Sequence, residues 1–401
     1  MLDTERDLIC FSHLRWGFVF QRPQHLMARF ARRRRVFFFE EPIFEGDVAT
    51  FRKTTCEQTG VHIITPVLPV RANGSTNQLT REVLNSFLKA EQISSYVAWF
   101  YTPMALEFAS HLTPAAVVYD CMDELSMFKG APPELHENER QLFRLADLVF
   151  TGGASLFEAK QGQHARVHLF PSSVDVAHFS KACAGDHSPE DQRDIPHPRI
   201  GYAGVIDERM DLDLLRGIAQ RSPEWHFMML GPVVKIDPAS LPNEPNIHYL
   251  GMKPYQSLPA YFSGWDVAML PFAINDSTRF ISPTKTPEYL SAGLRVVSTP
   301  IRDVVRPYGE LGVVSIAGTA DEFAAAIGQS LAEGPAPEWR KRADGFVGAL
   351  SWDQTWAEMN KLIIDSITGK RRPIVKPPDL NTSLSKRFEV TEGAKRRAAH
   401  V

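Results

Sequence analysis

Ser282-Pro-Thr-Lys-Thr-Pro-Glu-Tyr-Leu-Ser-Ala-Gly-Leu-Arg-Val-Val-Ser298 reads as a loop, a short helix opening near Pro283, a glycine stop at Gly293 and a buried strand. This is half of an α/β repeat, and the rest of the chain repeats the pattern. Lys285 and Glu288 are three residues apart, so a helix puts them on one face near its start. That end carries free N–H groups and partial positive charge, which suits phosphate. A cation and a carboxylate there can grip a diphosphate and a ribose together. The plainer alternative is an exposed ion pair on an ordinary helix.

Working outward, short apolar strands alternate with helical segments twice. The first series is Leu8–Phe11, a helix from about Pro23 to Arg33, Val36–Phe39, Val61–Ile64, Tyr96–Phe100, Ala116–Tyr119, Leu148–Phe150 and Val167–Phe170. The second is Arg199–Ala203, a helix near Leu212–Gln220, Trp225–Leu230, Ile247–Leu250, Val267–Leu270, Arg295–Ser298 and Val313–Ile316. Such alternation predicts parallel sheets covered on both faces. The expected fold class is α/β: two tandem Rossmann-like, doubly wound domains facing a cleft. The expected boundaries are 1–180, a polar linker at 181–198, 199–350, an amphipathic helix at 351–368 and a disordered basic tail at 369–401. That tail holds nine Lys/Arg against three Asp/Glu.

Composition narrows the function. The 401 residues are 44% hydrophobic and 23% charged, with a net charge of −3, so no global basic field points to nucleic acid. The four cysteines (Cys10, Cys56, Cys121, Cys183) lack a C-x-x-C pair, as expected of reduced residues in a cytosolic protein. No leader or membrane-spanning run is evident, so a cytoplasmic location is expected. One segment qualifies this. Gln21 to Arg35 is a basic amphipathic helix with Leu26, Met27 and Phe30 on its apolar side. It reads equally well as a dock for anionic membrane at the inner face or as a helix covering the sheet.

Ligands of open α/β sheets sit beyond the carboxyl ends of strands. In the second domain three loops qualify: Gly204-Val-Ile-Asp-Glu-Arg209, Gly231-Pro232, and Pro271-Phe-Ala-Ile-Asn275 leading through Arg279 to the Lys285/Glu288 helix. In the first, His13 ends the first strand, with Arg15, Trp16 and Gly17 in the same loop, and Asp120 and Asp123 follow Val117-Val-Tyr119. Gly17 would allow close backbone approach, Trp16 could stack on a sugar face, and either aspartate could instead cap the next helix. Asp211-Leu-Asp213 is the one Asp-x-Asp arrangement weighed as a metal site. It is better placed to open a helix, so no metal is expected.

The run S-P-T-K-x-P-E-Y-L-S-A-G-L-R-V-V, preceded by P-F-x-x-N and by L-G-x-x-x-Y-x-x-L-P-x-Y, resembles the nucleotide-binding half of GT-B glycosyltransferases. The resemblance is to group 1, family 4-like enzymes of bacterial surface-polysaccharide synthesis, including teichuronic-acid-type enzymes. F-S-H-L-R-W-G-F-V-F-Q-R-P-Q-H-L and Y-D-C-M-D-E-L resemble the same group, so the likeness runs in order from about residue 7 to 365. It implies a nucleoside diphosphate sugar (UDP or GDP) in the second domain, a glycan or glycolipid acceptor in the first, and a last helix crossing back to the first domain. Carried over residue by residue, Glu288 holds the ribose, Lys285 neutralises the diphosphate, Arg209 assists, and Leu250-Gly-Met252-Lys253 cradles the base. Gly204, Ser282, Thr284, Gly17 and Trp16 complete the nucleotide-sugar set. No metal or cofactor is implied, because fixed cations would stabilise the leaving diphosphate.

A similar Y-x-x-x-D-x-L segment in the xanthan glucuronosyltransferase supplies its base, which puts Asp123 ahead of Asp120, with His13 as the other catalytic candidate. The chain also departs from the pattern. Phe280 stands where many family 4 members have a glutamate, and Val205 where an arginine often follows the glycine. Those departures keep two alternatives open, a non-catalytic binding or scaffold subunit and a UDP-sugar epimerase of the same fold. No G-x-G-x-x-G follows either first strand, which argues against a nicotinamide dehydrogenase.

Overall fold

The computed structural model describes residues 6–70, 75–185 and 188–369; the basic tail expected after Gly369 lies outside them. The first sheet comprises β1 (Asp7–Phe11), β2 (Val36–Phe39), β3 (Ile43–Phe44), β4 (Thr50–Thr55), β5 (His62–Leu68), β6 (Tyr96–Phe100), β7 (Ala116–Cys121), β8 (Leu148–Thr151) and β9 (Val167–Leu169). Their spatial order is β3-β5-β2-β1-β6-β7-β8-β9, with β4 on β5. Residues of β1 alternate between two cores. Ile9 and Phe11 pack with Phe37, Phe39, Phe87 and Phe100, whereas Leu8 and Cys10 pack with Leu26, Phe30, Phe38 and Trp99. Burial on both faces is what turns such strands into continuous apolar runs.

The second sheet comprises β10 (Arg199–Ala203), β11 (His226–Leu230), β12 (Ile247–Gly251), β13 (Val267–Leu270), β14 (Arg295–Ser298) and β15 (Val314–Ile316). All of them pair in parallel, in the order β12-β11-β10-β13-β14-β15. In both sheets the first strand lies between the second strand and a later one. The loops after β1 and β10 are therefore the topological switch points, where a crevice opens.

Two features differ from the sequence expectation. β4 and β3 were not foreseen, and β4 is antiparallel to β5. Its sequence Thr-Phe-Arg-Lys-Thr-Thr is mostly exposed, a charged edge with no apolar alternation to betray it. The polar stretch 181–198 is also partly ordered. It contains the Glu190–Arg193 turn of helix, and buried Gln192 donates to the Tyr261 carbonyl and accepts from Trp265 Nε1, each at 2.9 Å.

The Trp352–Ile367 helix crosses back to the first domain. Trp352, Met359 and Ile363 are buried in the Leu8/Cys10 core. The arginine run meets it there. Asp353 accepts from Arg29 at 3.0 Å and Arg32 at 2.9 Å, and Asn360 accepts from Arg34 at 2.8 Å. Arg22 and Arg35 are engaged as well, with Asp120 and Asp7. Five arginines of the basic segment thus have partners within the molecule, with Arg32 and Arg35 still exposed.

Candidate functional site

The three second-domain loops do converge, through their backbones. Ile206 N donates to Pro232 O at 2.9 Å, and Ala273 N donates to Arg209 O at 2.8 Å. Glycine is required where they touch. A Cβ on Gly231, whose φ is +142°, would collide with the Gly204 carbonyl. One on Gly204 would stand 2.9 Å from Lys285 Cε, so Gly204 leaves the lysine its room.

The helix bearing Lys285 and Glu288 runs over Lys285–Ser291, later and shorter than expected, so its dipole is small and the side chains carry the electrostatics. Among the described residues no ion pair joins Lys285 and Glu288, contrary to the exposed-pair alternative. Glu288 is 8% exposed, and burial lifts its carboxyl to about 7 despite the nearby Lys285. Burial likewise lowers Lys285, with Glu288 opposing and Arg209 adding to the drop. Lys285 Nζ donates to Thr284 Oγ1 at 3.4 Å. Arg209 is fixed by Asp207, donating through Nε at 3.0 Å and Nη2 at 2.7 Å, and its guanidinium lies over the Phe128 ring, 5.4 Å from the centroid.

Asp123 follows β7 and reaches the same charges. Burial raises its carboxyl, Arg209, Arg22 and Lys235 lower it, and Asp207 raises it further. His13 is lowered to about 4 by burial and by Lys235, so its imidazole is neutral near pH 7, and its Nδ1 is buried without a partner. The loops meet directly where Lys129 N donates to Glu208 Oε1 at 2.9 Å.

Other expected residues lie elsewhere or act differently. Asp120 does not cap a helix: β7 extends through it, and it is fully buried against Arg22, at 2.8 Å from Nη2. Asp211 does cap the Leu212–Arg221 helix, accepting from Leu214 N at 2.8 Å. Trp16, half-buried, sets its indole edge-on to Phe38 with centroids 5.0 Å apart. Gly17 is exposed, with open space where a Cβ would be. Met252 is 53% exposed, and Lys253 is paired with Asp191 at 2.5 Å. Ser282 packs on Gly153 of the first domain. Phe280, at the departure noted above, packs against the first domain's Ile9/Phe11 core, so an apolar contact between domains replaces a polar side chain.

The sequence reading missed Lys235, Asp207 and Phe128. Lys235 has φ +61° in the loop after β11 and lies 5.5 Å from the Phe128 centroid. A non-glycine residue in that conformation often marks a functional turn. The available signal was a lysine four residues past Gly231, in a loop beyond a strand. Among the described residues no group of three or more His, Cys, Asp or Glu side chains is arranged to hold a metal ion.

Comparison with known proteins agrees with this geometry. Residues 197–333 match the family Glycosyl transferases group 1. TuaH of Bacillus subtilis (strain 168), whose name assigns it to teichuronic acid biosynthesis as a glycosyltransferase, is 24% identical over 221 residues. That alignment covers 50% of this chain and 54% of TuaH, about half of each. Sucrose-phosphate synthase from Thermosynechococcus elongatus superposes with a TM-score of 0.69 at 14% identity, covering 91% of this chain and all of that one. Anabaena HepE in complex with UDP and glucose superposes with a TM-score of 0.61 at 14% identity, over 89% of this chain and 98% of that one. The fold is GT-B, and the second domain carries the group 1 glycosyltransferase signature.

Proposed function

We propose that this protein is a glycosyltransferase that moves a sugar from a nucleoside diphosphate sugar to a glycan or glycolipid acceptor without a metal ion. The observation that carries this is the electrostatic coupling of Asp123 and His13, which follow β7 and β1 of one domain, with Arg209, Lys235, Lys285 and Glu288, which follow β10, β11 and β13 of the other. The group 1 match at 197–333 supports a glycosyltransferase, and the UDP in the HepE structure makes a uridine donor the first to test, with guanosine as the alternative.

In this reading ionised Glu288 accepts hydrogen bonds from the ribose hydroxyls. Lys285 and Arg209 face the diphosphate, and Lys235 lies toward the sugar between His13 and Asp123. Asp123 takes the proton of the acceptor hydroxyl while its oxygen bonds to the anomeric carbon. The carbon–oxygen bond to the β-phosphate breaks, and the nucleoside diphosphate leaves with the electron pair. Asp123 as base favours an inverting displacement, whereas the family 4 likeness favours retention. Burial keeps the Asp123 carboxyl more basic than a free aspartate, which suits the role. Fixed cations in a partly dry cleft stabilise the departing charge with little reorganisation. His13, neutral and with a free Nδ1, is suited to a hydroxyl of the donor sugar.

The test is release of UDP or GDP from a panel of nucleotide sugars mixed with lipid-linked glycans, with and without EDTA. Acceptor-dependent release that survives EDTA and fails in Asp123→Asn supports the reading. Acceptor-independent conversion of the sugar would favour the epimerase alternative.

A further inference from the structure

Between the two domains lies the turn Thr151-Gly152-Gly153 at the end of β8, followed by the Ala154–Lys160 helix. One side of it touches the Asp123 loop. A Cβ on Gly152 would stand 2.9 Å from the Met122 carbonyl oxygen, and Gly152 N donates to Cys121 O at 3.0 Å. The other side touches the second domain. A Cβ on Gly153 would strike Asp303 and stand 2.7 Å from Ser282 Cβ, while Asp303 Oδ1 accepts from Ser155 N at 3.0 Å. Arg302 pairs with Glu158 on the same helix.

The far end of that helix returns to the catalytic loop. Lys160 Nζ lies 2.7 Å from Glu124 Oε2 and 2.8 Å from Glu139 Oε2, and all three side chains are at most 10% exposed. Tyr119 donates to Glu139 Oε1 at 2.8 Å, and Ser126 donates to Glu124 Oε1 at 2.7 Å. A buried lysine with two carboxylates gives less stability than apolar packing of the same volume would. What this cluster does is fix Glu124, the neighbour of Asp123.

We propose that Gly152–Lys160 is a transmission element that sets the position of Asp123 when the second domain closes, with Asp303 and Lys160 as positioning residues at its two ends. The inference rests on Asp123 as the base. With the domains together, Asp303 and Arg302 hold the helix, and Lys160 holds Glu124. With the domains apart, the first grip is lost and the loop loses its support through a continuous run of contacts.

Hydrogen exchange on the full chain tests it. Asp303→Asn and Gly153→Ala should each speed exchange in 122–128 by about tenfold, as well as in 153–160. Lys160→Met should loosen 122–128 while leaving 153–156 protected, and adding Asp303→Asn should then loosen 122–128 no further. If Lys160→Met fails to fold, Glu158→Gln breaks the exposed Arg302 pair and should raise exchange in the same loop. In turnover, Asp303→Asn should lower kcat and leave the donor KM within about twofold, because the nucleotide contacts are untouched. Exchange in 122–128 that stays at the wild-type rate while 153–160 opens would overturn the proposal. UDP titration of the same samples keeps the two questions apart: a protein that binds no nucleotide defeats the proposed function, whereas the exchange coupling is read without ligand.

Discussion

Asp123 and Glu288 are both carboxylates made more basic by burial, and they predict different experiments. Asp123→Asn keeps the shape and removes the proton acceptor, so kcat should fall by about 10²–10⁴ with donor affinity little changed. Fluorescence titration alongside initial rates checks this. Glu288 has a folded value near 7 against an ordinary 4.5, so between those values the folded protein holds a proton that the unfolded chain has lost. Stability therefore declines as pH rises from 4.5 to 7, by roughly 3 kcal/mol from this group alone. Glu288→Gln removes the decline, so its Tm relative to wild type should be higher at pH 8 than at pH 4.5. A pH-independent difference would contradict the burial argument. Donor binding should run the other way in wild type, strengthening as pH rises through 7 and the carboxylate ionises. Lys235→Ala should lower kcat/KM for donor by about tenfold or more, read by steady-state kinetics, if its charge reaches the sugar end of the donor. Lys285 and Glu288 were legible in the sequence because they are three apart at the start of a helix, and Asp123 and His13 because each stands just beyond an apolar strand. Lys235 was not, since its position depends on a left-handed turn and on Phe128 of the other domain, neither written locally.

At the scale of elements, the arginine run shows what a sequence can conceal. Its amphipathic period and its apolar face of Leu26, Met27 and Phe30 were legible. Its partners were not, because Asp353 and Asn360 lie more than three hundred residues away in sequence. Trp352 anchors that junction, 1% exposed and stacked on His25 with centroids 4.7 Å apart. Trp352→Ala should cost about 3–5 kcal/mol, measured by urea denaturation, because the bulk of the indole leaves a cavity. Arg33→Ala should cost almost nothing, since this arginine is exposed while its neighbours Arg32 and Arg34 bond the last helix. The edge strand β4 escaped the reading for the opposite reason. With five of six residues exposed it has no buried face, and strand periodicity is a signal of burial.

For the whole molecule, the doubled α/β alternation was enough to read two doubly wound domains, while the return of the last helix to the first domain came from the family resemblance. Strand order was not legible, because order is set by which connections pack over which face, and short apolar strands resemble one another. The order matters, since it puts β1 and β10 at the switch points and so turns their loops toward a common cleft. In the proposed reading, residues after five strands (β1, β7, β10, β11 and β13) act together, and function becomes a property of the pair of domains. The most direct measurement is calorimetric titration of UDP, GDP and ADP into wild type, Lys285→Ala and Glu288→Ala. The account predicts saturable binding of one nucleoside diphosphate to wild type, weakened by about tenfold or more in each variant. Binding of none of the three to folded wild type, or binding that both variants retain in full, would contradict it.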